Sequence, residues 1–262
     1  MADAANSTLR KVVVATGAVL TVAGSAGFTG GADGTGTAAR FYSLSGLALD
    51  GTGNLYVADL LNNTIRKVVV ASAAVTTLAG LASGYGTIDG TGATARFYGP
   101  AGVANDGAGN LYIADVADYT IRKVVVATAA VTTLAGTAGR PSGTDGTGAG
   151  AGFNGPTGVT LDGAGNLYVA DSSNNTIRKV VVATGDVTTL AGMAGLSGST
   201  DATGSAARFN NPSGVVLDAA GNLNGDYGSA YIRWLTTTCR SWNHEHSICS
   251  AERHAPRTRS AA

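Results

Sequence analysis

Cys239, His244, His246, Cys249 and His254 are side chains able to bind zinc, and they fall within a short span near the C-terminus. Thiolate and imidazole together suit a tetrahedral site. Their spacing, C-x4-H-x-H-x2-C, fits none of the common structural zinc patterns. A disulfide between Cys239 and Cys249 is the alternative. Neither reading is favoured, because residues 224–262 differ in composition from everything before them. Every Cys, Trp, His and Glu of the chain lies beyond Leu223. An abrupt change of that kind is what a frameshift or a misjoined exon produces, so the tail is expected to be poorly ordered or out of frame. Its stretch YIRWLTTT (231–238) has the propensity to add a strand to the last repeat.

A second candidate is DGTGTAAR (33–40), which contains the G-x-G-x-x-A shape of dinucleotide-binding loops. That chemistry needs a preceding strand and a helix N-terminus facing the pyrophosphate. DGTGATAR (89–96) and ATGSAARF (202–209) repeat the shape between β-rich segments, which argues against a nucleotide site. Calcium would require several oxygen ligands, and each loop offers one carboxylate. No cofactor and no metal are expected. Arg40, Arg96 and Arg208 precede phenylalanines, with Gly152 in the third copy. These arginines are the candidate ligand-binding residues, lining one face toward an anionic partner.

Stepping outward, LRKVVVATGAVLTVAGSAG (9–27) is laid out like a secretory signal, with basic residues, an apolar run and small residues. It recurs from Ile65, Ile121 and Ile177, each start 56 residues after the last. An export signal has no reason to recur, so the segment is one copy of a structural unit. LYVAD at Leu55 returns at Leu111 and Leu167; Asp33, Asp89, Asp145 and Asp201 match, as do Phe41, Phe97, Phe153 and Phe209. Met1 aligns with the middle of a strand. A leader upstream of it would direct the chain to the cell surface or beyond.

Each period reads as four strands: GVTLD (158–162), NLYVAD (166–171), TIRKVVVA (176–183) and VTTLAG (187–192), with glycine- or asparagine-rich turns between them. Repeated four-stranded antiparallel units, unable to bury both faces alone, stack around an axis as a β-propeller. The hairpin brings Asp59 near Arg66, Asp115 near Arg122 and Asp171 near Arg178. A pair present in every unit serves the unit, so these six are read as structural. The phenylalanines are expected to plug the gaps between blades. Asn6-Ser7-Thr8, Asn62-Asn63-Thr64 and Asn174-Asn175-Thr176 fit the glycosylation sequon and equally fit tight turns.

The motif GPTGVTLDGAGNLYVADSSNNTIRKV (155–180) resembles an NHL repeat, and the resemblance extends over residues 1–223. It implies an all-β propeller with GVTLD innermost and VTTLAG outermost. Three blades are complete, at 46–80, 102–136 and 158–192. Two outer strands at the N-terminus (8–24) and one inner strand at the C-terminus (214–218) could combine into a split fourth blade. NHL propellers are usually six-bladed, so a fragment of a larger ring is the alternative. The resemblance further implies recognition of a protein or other ligand by a non-enzymatic scaffold. NHL-like lyases hold a metal with histidines and related lactonases use a glutamate, and the repeats contain neither residue. RNA binding wants a basic face with aromatics. In residues 1–223 acids slightly outnumber bases and the whole chain has formal net charge +0, so no nucleic-acid partner is expected. The sequence offers no stretch long enough to span a membrane as an apolar helix, and oligomeric state is left open.

Overall fold

The computed structural model describes residues 1–225 and the backbone of 234–235. The YIRWLTTT stretch beyond those two residues, and the Cys/His group, lie outside the described residues.

Five antiparallel sheets follow one another along the chain. Blade II shows the full pattern: Leu44–Leu49 is innermost, then Asn54–Asp59, Thr64–Val69 and Ala74–Gly80. A fifth strand, Gly34–Thr35, comes from the segment entering the blade and pairs Gly34 with Val75 at the outer edge. Blade III repeats this with Pro100–Asn105, Asn110–Asp115, Thr120–Val125, Ala130–Ala135 and edge strand Gly90–Thr91. Blade IV does so with Pro156–Leu161, Asn166–Asp171, Thr176–Val181, Asp186–Gly192 and edge strand Gly146–Thr147. Blade I comprises Ala2–Asp3, Thr8–Val13 and Ala18–Ala23, and blade V comprises Val216–Leu217, Leu223–Asn224 and Trp234–Leu235. The two ends form separate sheets and do not merge into one split blade.

The hairpin between the first two strands is set by an aspartate. Asp50 Oδ1 accepts the N–H groups of Thr52 and Asn54 at 2.8 and 3.0 Å, and Oδ2 accepts Asn54 Nδ2 at 2.7 Å. The Asn54 amide, with those N–H groups, holds the Asp50 carboxyl well below the usual carboxylate range. Gly51 and Gly53 supply the positive φ of 73° and 101° that the turn needs. Asp106, Asp162 and Asp218 repeat the device.

Strand alternation gives every blade two apolar faces. In blade II, Tyr56, Ala58, Ile65 and Ala79 pack toward blade III, while Val57, Val68 and Val75 pack toward blade I. Each apolar cluster thus straddles two successive sheets, and among the described residues none joins blade I to blade V. Phe41, Phe97, Phe153 and Phe209, each at most 1% exposed, occupy the four junctions. Burial of such a ring contributes roughly 1.5–3 kcal/mol. At the inner strands the blades meet closely: a Cβ on Gly102 would overlap the Thr157 carbonyl oxygen, and one on Gly46 the Ala101 carbonyl. The open face of blade I shows what a neighbour does. Val12 and Val19 are 39% and 51% exposed, whereas their blade II counterparts Val68 and Val75 are 0% and 2%.

Candidate functional site

The Asp–Arg pairs form the centre of a buried clamp. Arg66 Nη1 donates to Asp59 Oδ2 at 2.9 Å and to the Arg40 carbonyl at 3.0 Å. Its Nη2 donates to Asp33 Oδ1 at 2.7 Å and to the Ala32 carbonyl at 3.1 Å. The guanidinium lies 5.3 Å from the Phe41 ring centroid. Asp59 also accepts the Tyr42 N–H at 2.7 Å and Asn62 Nδ2 at 2.8 Å. The clamp therefore ties the second and third strands to the segment that enters the blade. Arg122 holds Asp115 and Asp89, and Arg178 holds Asp171 and Asp145, in the same manner. Burial pushes the Asp59 and Asp171 carboxyls up, against the pull of their Asn, N–H and Arg partners. In blade I no carboxylate or carbonyl of an entering segment meets Arg10 among the described residues, and its pair with Asp3 is looser, at 3.7 Å with both side chains 31% exposed.

The six residues of the hairpin pairs are each 0% exposed, and within each blade the arginine is bonded to its aspartate. The contribution of Asp33, Asp89 and Asp145 is not evident from sequence beyond their matched spacing, since each meets an arginine 33 residues later.

Arg40, Arg96 and Arg208 sit at the ends of the inter-blade segments. Their Nη1 groups donate to carbonyls of the adjoining 3-10 turn: Ala39 at 2.8 Å, Ala95 at 2.7 Å and Ala207 at 2.7 Å. Gly152 takes the corresponding position in the third copy, where a Cβ would collide with Ser142 Oγ. The DGTGTAAR loop forms the edge strand and a three-residue 3-10 turn, Gly36–Ala38, so no helix N-terminus faces a phosphate. Asp33 is engaged by Arg66 and by Thr77 Oγ1 at 2.9 Å.

The same segments carry solvent-facing aromatics that sequence reading passes over. Phe28 is 62% exposed, Tyr85 70%, and Tyr42 and Tyr98 each 44%. The Tyr85 and Tyr98 rings lie 5.1 Å apart at 34°, and the Arg40 guanidinium stands 5.7 Å from the Phe28 centroid. Positions matching Tyr42 and Tyr98 are Asn154 and Asn210 in the later copies. The signal was available as a repeat position that changes from aromatic to polar along the chain.

Along the axis the inner strands line a cavity of about 390 Å³ whose walls include Leu47, Leu49, Val103, Asn105, Thr160 and Leu161. Asn105 replaces the leucine of the other blades and donates from Nδ2 to the Leu49 carbonyl at 3.2 Å. Among the described residues no group of three or more His, Cys, Asp or Glu is placed to hold a metal, and no helix is long and apolar enough to cross a membrane.

The family model for the NHL repeat matches residues 153–180. NHL repeat-containing protein 2 of Bos taurus is 37% identical over 156 residues, covering 53% of this chain and 21% of that protein. The protein Suppressor of quenching 1, chloroplastic, of Arabidopsis thaliana is 34% identical over 134 residues, covering 48% of this chain and 12% of its own length. The matched region thus spans 21% and 12% of the length of these curated relatives. Among solved structures, an auxiliary nutrient binding protein from Bacteroides thetaiotaomicron superposes with TM-score 0.60 at 19% identity, over 76% of this chain and 49% of that one. Virginiamycin B lyase from Staphylococcus aureus superposes with TM-score 0.58 at 12% identity, over 90% and 61%. At such identities these likenesses concern the fold. The chain thus carries an NHL repeat at residues 153–180, is similar to NHL repeat-containing proteins, and has the β-propeller fold of its solved neighbours.

Proposed function

We propose that this propeller is a non-enzymatic binding module that presents its inter-blade segments to a protein or other extended ligand. The observation that carries the reading is the contrast between constant clamps and variable surface. Every complete blade keeps the same Asp–Arg–Asp core, while Phe28, Tyr42, Tyr85 and Tyr98 expose rings only in the first two inter-blade segments. Exposed aromatics on a rigid scaffold are the usual anchors of recognition. Arg40 and Arg96, with Arg208 farther along, stand at the ends of these segments and would add charge to an interface. The blades are near copies and, Asp118 aside, the carboxylates of the complete blades are paired or turn-bound. Catalysis needs one place unlike the others, and no such constellation of acid, base and nucleophile appears among the described residues.

The test is affinity capture with the wild type and with a Phe28→Ser/Tyr85→Ser/Tyr98→Ser variant, followed by calorimetry on the ligand recovered. Loss of the rings should weaken binding at least ~30-fold, from about 2 kcal/mol or more for an anchoring aromatic, with unfolding unchanged. Equal affinity in the variant would contradict the proposed face. Metal-dependent turnover of lactones or amidated-peptide precursors would replace the reading with an enzymatic one.

A further inference from the structure

The clamp of blade III departs from its sisters at one point. In blades II and IV an asparagine side chain fastens the hairpin between the second and third strands. Asn62 Nδ2 donates to Asp59 Oδ2 at 2.8 Å and to the Gly30 carbonyl at 2.6 Å. Asn174 Nδ2 donates to Asp171 Oδ2 at 2.7 Å and to the Ser142 carbonyl at 2.8 Å. One amide thus ties the clamp aspartate to the entering segment. In blade III the position is Asp118, 7% exposed, and its Oδ2 is buried with no hydrogen-bond partner. A carboxylate can only accept, so an ionised Asp118 can replace neither asparagine bond.

The next residue compounds the change. Asn63 Oδ1 accepts the Gly99 N–H at 2.9 Å and Asn175 Oδ1 accepts the Asn211 N–H at 2.8 Å, each linking its hairpin to the following segment. Blade III has Tyr119 there, at φ 60°. Blades II and IV form 3-10 turns at Leu60–Asn62 and Ser172–Asn174, while residues 116–119 make a plain turn.

We propose that Asp115 and Asp118 share one proton in the folded chain, and that this proton latches the blade III hairpin to the clamp and to the segment bearing Tyr85. A protonated carboxyl supplies the donor that asparagine supplies elsewhere. The charged groups facing Asp118 are Asp115 on the second strand, Arg122 on the third and, across Arg122, Asp89 on the entering segment; the leaving segment contributes the Gly139 N–H to the Asp118 carbonyl. Arg122 is stretched to 3.3 Å from Asp115, against 2.9 Å in the sister clamps. Burial, with a smaller push from the Asp118 charge, raises the Asp115 carboxyl to about 7, and burial raises Asp118 against the pull of Arg122. The latch is independent of what Tyr85 binds.

The unfolded carboxyl titrates near pH 4, folded Asp115 at about 7, and folded Asp118 is raised as well. Between those values the folded state holds a proton that the unfolded state has released. Stability from the pair is therefore full below about pH 4 and is lost as pH rises through about 7. The test compares urea unfolding of the wild type and Asp118→Asn across that window. The variant restores the sister residue and should fold. The wild-type folding constant should fall relative to the variant's as pH rises through that window, levelling above about pH 7. Parallel curves would overturn the shared proton. Hydrogen exchange of residues 81–86, corrected for intrinsic rates, should quicken with pH in the wild type and not in Asp118→Asn. Equal exchange in both would overturn the latch.

Discussion

Replacing Arg178 by methionine removes the head of the blade IV clamp while keeping much of its aliphatic volume. The Arg178 and Asp171 side chains are both 0% exposed. The substitution deletes donations to Asp171 at 2.9 Å, Asp145 at 2.9 Å, the Gly152 carbonyl at 2.8 Å and the Thr144 carbonyl at 3.0 Å. Asp171 is left buried with the Asn154 N–H and Asn174 Nδ2 as its remaining donors. Breaking a buried pair this way costs about 3–5 kcal/mol, most of it the uncompensated charge. Blade I provides the internal control. Arg10 occupies the same motif position, with its carboxylate 3.7 Å away and 31% of its side chain exposed. Arg10→Met should cost about 0–1 kcal/mol, as for solvent-screened pairs. Equilibrium urea unfolding followed by far-ultraviolet circular dichroism measures both. Equal losses for the two variants would refute the claim that the entering segment, by burying the arginine, is what makes the clamp strong.

Gly102→Ala should destabilise by about 1–3 kcal/mol, because the new methyl must push the inner strand of blade III off the Thr157 carbonyl; calorimetric unfolding checks this. Tyr119→Asn should stabilise by about 1 kcal/mol, relieving a left-handed backbone at a bulky residue, seen as a higher urea midpoint. If the chain is secreted from a eukaryotic host, glycopeptide mapping should find a glycan at Asn6 alone. Asn6 is exposed, its amide donating only to the part-exposed Asp3, whereas Asn62 and Asn174 are 5% and 6% exposed with their amides bonded to buried aspartates.

The four-strand blade is legible in the sequence because each strand carries its own alternation and each hairpin its own Asp, Asn or Gly. The Asp59–Arg66 pairing is legible for the same reason: a short hairpin places them side by side. The fifth strand is not. Gly34–Thr35 is two residues without an apolar pattern, and only its pairing with Val75 makes it a strand. Reading that stretch as a glycine-rich loop also hid the second carboxylate of the clamp. Arg40, Arg96 and Arg208 stand out in sequence as free cations; the carbonyls they meet belong to 3-10 turns that the glycines do not announce. For the ends, the sequence is compatible both with a split fourth blade and with a fragment of a larger ring. The local strand patterns are the same in both, and only the pairing of 2–23 and 216–235 as two separate sheets distinguishes them.

Burial of each sheet by its neighbour is the premise beneath the clamps, the plugs and the exposed rings. Hydrogen–deuterium exchange of the intact chain tests it most directly. Strands Ala74–Gly80, Ala130–Ala135 and Asp186–Gly192, covered at their edges by Gly-Thr strands, should exchange slowly, and Ala18–Ala23 of the open blade I should exchange fast. Equal protection of Ala18–Ala23 and Ala130–Ala135 would contradict the account.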